Sequence, residues 1–283
     1  MEAADTVPVS DRVAAFDNDG TLWCERPSYV QLDFMIDALE KAVAADAALA
    51  DRSEYAALLT GDHEAMGEIG LDRIAMALAE LFTGLVPEEF DSRAREFMQQ
   101  AQHRTLGVPL GRTVYQPMLE LLDELRRREF TIFIVTGGGT EFVRSVSKDL
   151  YGVDPEAVVG TLIAYEFTRD DDGKPRIVRT GRLLGDANEG EAKVANIQTQ
   201  LGRRPILAAG NSGGDREMLE WATAGDGSSL AIIVEHDDAE REFSYVSVAQ
   251  SFTEPEPIID VANRLGWTVV SMAEDWVTVF PHD

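Results

Sequence analysis

Two carboxylates stand two positions apart at the end of an apolar run in "RVAAFDNDGTLW", residues 12–23. They are Asp17 and Asp19, with Asn18 between them and Gly20 and Thr21 behind. Two acids held that close repel one another, and an isolated pair would tend to keep a proton. A magnesium ion changes the balance, because it is a hard cation that takes carboxylate, amide and water oxygens. With Asp17 and a main-chain carbonyl near Asp19 as ligands, the pair becomes a metal site plus one free acid.

Three later segments carry chemistry that could join this pair. Thr136 precedes Gly137, Gly138 and Gly139 in "IVTGGGT". A hydroxyl and main-chain N–H groups at a helix entrance make a cradle for phosphate oxygens. Lys193 in "EGEAKVANI" offers a positive charge, and "GNSGGD" offers the oxygens of Asn211 and Asp215 to the metal region. A fourth polar segment, "VEHDD", is less distinctive. Each piece alone has a plain structural reading, since Asp, Asn and Gly dominate turns for backbone reasons and a single helical lysine is usually a surface charge. Their order, and their shared position at strand ends, set them apart.

The elements that must place these residues follow from periodicity. Val13 to Phe16 suit a buried parallel strand. From 28 to about 105 the chain reads as helices: "SYVQLDFMIDALEKAVA", "HEAMGEIGLDRIAMALAELF" and "PEEFDSRAREFMQQAQHR" have apolar residues at helical spacing, and Ser28 and Pro87 suit helix starts. From Tyr115 onward helix and strand alternate. "FTIFIVTGGG" reads as strand and turn, "AVVGTLIAYEF", "RPILAAGN", "SLAIIVEH" and "WTVVSM" as strands, and "DDDGKP" as a hairpin turn rather than a calcium loop. The expected fold class is α/β, a doubly wound parallel sheet interrupted by a helical insertion, for which the resemblance given below implies a Rossmann-like core and a helical cap. The expected boundaries are 1–24 for the first part of the core, 25–111 for the helical cap and 112–283 for the rest of the core.

Composition bounds the function. The chain has 283 residues, 25 basic and 51 acidic, for a formal net charge of -26. Such a field repels nucleic acid and anionic membranes, and a phosphorylated ligand also requires local positive charge to offset it. The first residues, "MEAADTVPVSDR", have neither the basic start nor the apolar block of a signal peptide, and the expected location is cytoplasmic. Cys24 is the only cysteine, which excludes an intrachain disulfide and a cysteine cluster for zinc.

The ordered set "FDNDGT", "VTGGG", Lys193 and "GNSGGD" resembles the four motifs of the haloacid dehalogenase superfamily, on its phosphatase side, and the likeness spans Val13 to about Trp221. The resemblance implies a Rossmann-like core, Mg2+ and an aspartyl-phosphate intermediate. Asp17 falls at the nucleophile and Asp19 at the general acid/base. Thr136, with Gly137 and Lys193, falls at the phosphoryl contacts, and Lys193 would neutralise nucleophile and phosphate. The metal would be held by Asp17, Asp19 and Asn211, with Asp215 as a further ligand or a support. Retention of Asp19 favours phosphoryl transfer over carbon–halogen cleavage. The insertion, with the hairpin before Lys193, is similar to the phosphoserine phosphatase-like branch, whose cap closes over the substrate.

Asn211 departs from that pattern, where an aspartate is usual, so weaker metal binding is expected. His103 and Arg104 are candidate cap contacts, with a surface position as the competing reading of each. The implied activity is hydrolysis of a small phosphorylated metabolite. A phosphotransferase or mutase of the same superfamily, or a catalytically silent binding module, are the alternatives.

Overall fold

The computed structural model describes residues 7–281. Its residues group into two compact units, one of 1–27, 101–161 and 187–283, the other of 28–100 and 162–186.

The first unit is built on parallel strands. β1 (Val13–Phe16) lies between β2 (Thr131–Gly139) and β5 (Leu207–Gly210), and β3 (Val158–Arg169), β6 (Leu230–Glu235) and β7 (Thr268–Ser271) extend the sheet on either side. The seven strands run in the order β4-β3-β2-β1-β5-β6-β7; β4 (Pro175–Leu184) belongs to the second unit, where it pairs with residues 162–169 of β3 in the one antiparallel pairing. Phe16 pairs with Ile134 on one side and Ala209 on the other, so β1 is buried along its whole length. Helices α6 (Gln116–Arg127), α7 (Thr140–Tyr151), α8 (Glu191–Leu201), α9 (Arg216–Thr223), α10 (Ile258–Leu265) and the short α11 (Met272–Asp275) complete the unit. Ala15, Val135, Val159, Ala208 and Ile233 from five strands pack with Ile197, Met218 and Val261 of three helices.

The strand order matters for function. From β1 the chain first builds outward through β2 and β3, then returns to add β5, β6 and β7 on the opposite side. An open parallel sheet binds ligands beyond the carboxyl ends of the strands where the order reverses, because the connections diverge there and leave a crevice. Here that place is the end of β1, which is Asp17.

One sequence expectation fails at β2. The glycines after Thr136 do not turn: β2 remains extended to Gly139, which pairs with Thr161 after a shift in register. A Cβ on the neighbouring Gly160 would fall 2.7 Å from the Gly138 carbonyl oxygen, so the two chains approach at a distance only glycine permits.

The second unit holds α1 (Val30–Ala45), α2 (Ser53–Thr60), α3 (His63–Ile69), α4 (Leu71–Glu80) and α5 (Pro87–Gln100). The sequence reads 63–82 as one helix. Gly70, at φ +89°, breaks it into α3 and α4. The unit takes in the 162–186 hairpin as well, since Arg179 pairs main chain to main chain with Gly84 and Leu85 at 2.9 and 2.8 Å. Phe34 stacks on Phe82 and both meet Phe90 edge-on, with ring centroids 5.2 to 5.6 Å apart, and the Arg179 guanidinium sits 3.9 Å over the Phe90 ring. Among the described residues no helix is long and apolar enough to cross a membrane.

Candidate active site

β1 ends in a turn that faces two ways. The Asp17 N–H donates to the Ala209 carbonyl at 2.9 Å, continuing the ladder with β5, while the N–H groups of Leu22 and Trp23 return to the Asn18 carbonyl at 2.8 and 3.2 Å. Asn18 is held in turn by the Tyr151 hydroxyl at 3.0 Å. Gly20 has φ +73°, the left-handed region, and a Cβ there would lie 2.0 Å from Asn211 Nδ2. Gly20→Ala is therefore expected to cost about 3 kcal/mol, strain and overpacking together. Urea unfolding of the variant checks this, and an unchanged midpoint would refute it.

Lys193 is the centre of the site. It is 1% exposed, and its ammonium donates to Asp17 Oδ1 at 2.6 Å, Asp215 Oδ1 at 2.6 Å and the Val135 carbonyl at 2.8 Å. Burial alone would favour the neutral amine, but the two carboxylates outweigh it and hold Lys193 charged. Asp215 Oδ2 accepts the N–H groups of Asn211 and Ser212 at 3.0 and 3.1 Å. Both of its oxygens are therefore committed, which suits a support for Lys193 and the "GNSGGD" loop better than a metal ligand. Asp17 Oδ2 has no hydrogen bond among the described residues, so Lys193 steadies the carboxylate and leaves one oxygen open.

The paired carboxylates occupy different surroundings. Asp17 is pushed well above the ordinary carboxylate range by burial and by Asp215, against the pull of Lys193. Asp19 is also raised by burial, while hydrogen bonds from Trp23, Asn18 and Thr136 oppose the shift. The Trp23 indole donates to Asp19 Oδ1 at 2.8 Å and orients the side chain. Thr136 is fully buried, its hydroxyl oxygen accepting the Gly138 N–H at 2.9 Å, and its carbonyl is capped by the Asn188 amide at 2.9 Å.

The donors suit magnesium. Among the described residues no cluster of three or more His, Cys, Asp or Glu side chains is arranged to hold a metal. Magnesium asks for less, typically one or two carboxylates with neutral oxygens and several waters. Asp17 Oδ2 is open, and the Asn211 amide turns its nitrogen to Glu25 and Ser247, leaving Oδ1 toward Thr21. Together these supply one carboxylate oxygen and one amide oxygen.

The structure thus brings Asp17, Lys193 and Asp215 into one connected network, with Asp19 and Asn211 on the same turn and loop and Thr136 next in β2 after Val135, whose carbonyl Lys193 reaches. It does not bring His103 or Arg104 there. His103 is buried in the first unit, its Nε2–H donating to the Arg26 carbonyl at 2.6 Å, and Arg104 is exposed. Cys24 is buried, with burial and Glu242 raising its thiol, as suits an unreactive filler.

Several residues of the site escape the sequence reading. Glu25, 6% exposed, lies against Asn211 and is pushed up to about 7 by burial, with His236 opposing. His236 donates Nε2–H to the Gly20 carbonyl at 2.9 Å and meets Glu242 through Nδ1 at 3.3 Å. Glu242 also accepts from the Tyr115 hydroxyl at 2.9 Å. The available signals were the acid at the end of "DNDGTLWCE" and the histidine of "VEHDD", both strand-end polar residues without a distinctive spacing.

Glu141, in the first turn of α7, is likewise pushed up to about 7 by burial against Arg144. Between the ordinary value of 4.5 and about 7, a carboxyl so raised binds more protons folded than unfolded, and stability falls as pH rises through that window. Glu141→Gln is expected to lose less unfolding temperature than the wild type between about pH 5 and pH 7.5 without added metal. Equal losses in both proteins would refute the assignment.

A model of haloacid dehalogenase-like hydrolases matches residues 14–220. No curated protein matches the chain. Among solved structures, a protein of unknown function from Bordetella pertussis Tohama I is similar in fold, with a TM-score of 0.55 at 19% identity over 92% of this chain and 97% of that one. A phosphoserine phosphohydrolase-like protein from Francisella tularensis subsp. tularensis SCHU S4 has a TM-score of 0.42 at 16% identity, over 90% and 99% of the two chains. A substrate-bound phosphoserine phosphatase has a TM-score of 0.41 at 18% identity, over 79% and 86%.

Proposed function

Because the chain belongs to the haloacid dehalogenase-like hydrolases, we propose that it is a magnesium-dependent phosphatase that hydrolyses a small phosphorylated metabolite through an aspartyl-phosphate on Asp17. The observation that carries this reading is the division of labour between its two carboxylates. Asp17 is bound to Lys193 through one oxygen only. Asp19, two positions on, is held by Trp23 and has a raised proton affinity. A pair placed in unlike surroundings is what a nucleophile and a general acid require.

In the first step a carboxylate oxygen of Asp17 attacks phosphorus, the bond to the leaving oxygen breaks, and Asp19 gives that oxygen its proton. Asp19 then takes a proton from water as the water oxygen attacks the same phosphorus. The bond to Asp17 breaks, inorganic phosphate leaves, and both carboxylates return to their starting state. Lys193 keeps Asp17 oriented throughout. Its single charge already faces two carboxylates, so it does not by itself offset a phosphate. Magnesium, held by Asp17, Asn211 and the Asp19 carbonyl, would supply the remaining positive charge and lower the proton affinity of Asp17.

The test is phosphate release from a panel of small phosphomonoesters. Release that requires magnesium and stops on chelation is expected. No release from any member with saturating magnesium would overturn the proposal.

A further inference from the structure

The amide of Asn211 is oriented from both ends. Its Nδ2 donates to Glu25 Oε1 at 3.1 Å and to Ser247 Oγ at 3.1 Å, and its Oδ1 accepts from the Thr21 hydroxyl at 3.2 Å. A carboxylate only accepts hydrogen bonds, so Glu25 decides which end of the amide is nitrogen. The oxygen is thereby turned to the strand-end turn that carries Asp17. All of these side chains belong to the first unit, and Glu25, Asn211 and Ser247 are 6%, 2% and 7% exposed.

Asn211 alone brings no charge to a cation, which is why its sequence suggests a weak site. Glu25 changes that account. It is a buried carboxylate in direct contact with the amide, drawn from a position 186 residues away in the chain. Gly20 allows the approach, since a Cβ there would meet both Asn211 Nδ2 at 2.0 Å and Glu25 Cδ at 2.9 Å.

We infer that Glu25 is a positioning residue for the cation, holding Asn211 with its oxygen toward the Asp17 turn and carrying, directly behind that ligand, the negative charge an aspartate at 211 would carry itself. The inference rests on the magnesium-dependent reading above. It has a reciprocal consequence. An aspartate at 211 beside an unaltered Glu25 would set two buried carboxylates about 3 Å apart, where they repel. Glu25 and residue 211 are therefore alternative carriers of one charge, and Asn211 is the partner that Glu25 requires.

The test is calorimetric titration of Mg2+ into the wild type, Glu25→Gln, Asn211→Asp and the double variant, with the unfolding temperature of each measured without metal. Glu25→Gln is expected to weaken magnesium binding about ten- to a hundredfold, as for other residues that orient a metal ligand. Asn211→Asp alone is expected to unfold at a lower temperature than the wild type. The double variant should recover that temperature and bind magnesium within about threefold of the wild type, a coupling that independent roles would not produce.

Wild-type affinity in Glu25→Gln, or a double variant that binds no better than Glu25→Gln, overturns the inference while leaving the proposed function standing. A wild type that takes up no magnesium overturns both. If Glu25→Gln does not fold, the double variant decides: folded and magnesium-binding supports the inference, unfolded overturns it.

Discussion

Asp17→Asn is expected to lower phosphate release by at least about a thousandfold while leaving a folded protein. The amide cannot form the acyl phosphate, and nothing else on the turn can replace it, because Asp19 is tied to the Trp23 indole. Folding survives for an electrostatic reason. Lys193 keeps Asp215 at 2.6 Å and can still donate to the amide oxygen at position 17. The charge removed is one that burial and Asp215 already disfavour. The unfolding temperature at neutral pH without magnesium should therefore equal or exceed that of the wild type, and magnesium should raise it less. Activity near the wild-type level would dismiss Asp17 as the nucleophile, and a large loss of stability would show that the charge account is wrong.

Lys193→Met is the complementary case, in which catalysis and stability fall together. The methionine fills much of the volume but leaves Asp17 and Asp215 facing the same point with no cation between them. Removing one member of a buried ion network costs about 3–5 kcal/mol, because the remaining charges are uncompensated. The sign of the pH dependence follows. In the wild type, a lysine whose proton affinity is raised on folding contributes stability that is fully present below its unfolded value and is lost only in strong alkali. In the variant Asp17 loses the pull of Lys193, and burial with the charge of Asp215 makes it hold its proton more tightly folded than unfolded, so stability falls as pH rises. Urea unfolding at about pH 5 and about pH 8 is expected to show the larger deficit at the higher pH. A deficit independent of pH would mean that the two carboxylates do not share one field.

Much of the frame was legible because it depends on local pattern. The apolar run before Asp17, the helix and strand alternation after Tyr115 and the turn at "DDDGKP" each carry their signal within a few residues. Thr136, Lys193 and Asp215 were legible through order, since strand-end polar residues in a parallel sheet converge on one edge. What was not legible depends on contacts between distant positions. Glu25 lies where the sequence begins to look like the helical insertion, and its meaning comes from Asn211 and Ser247, which no periodicity predicts. The glycines after Thr136 read as a turn because glycine permits one, yet the close approach of Gly160 keeps them extended. The hairpin before Lys193 is legible as a hairpin, but its pairing through Arg179 with Gly84 and Leu85 is a contact between distant positions that no local pattern predicts. Gly70 could have been read as a helix break, but apolar spacing continues across it.

The central position of β1 has a consequence for the order of events during synthesis. Asp17 leaves the ribosome before its lysine, which lies 176 residues further on, and before the strand that closes its second side, which begins at Leu207. Until those residues emerge, the nascent chain carries an apolar strand with one edge open and an acidic turn with no counter-charge. Such a segment pairs late and over long sequence separations, which slows folding and leaves time for misassociation. Asp17 is made long before the contacts that complete its surroundings. A chaperone that holds the chain before Leu207 emerges would be guarding a site that does not yet exist.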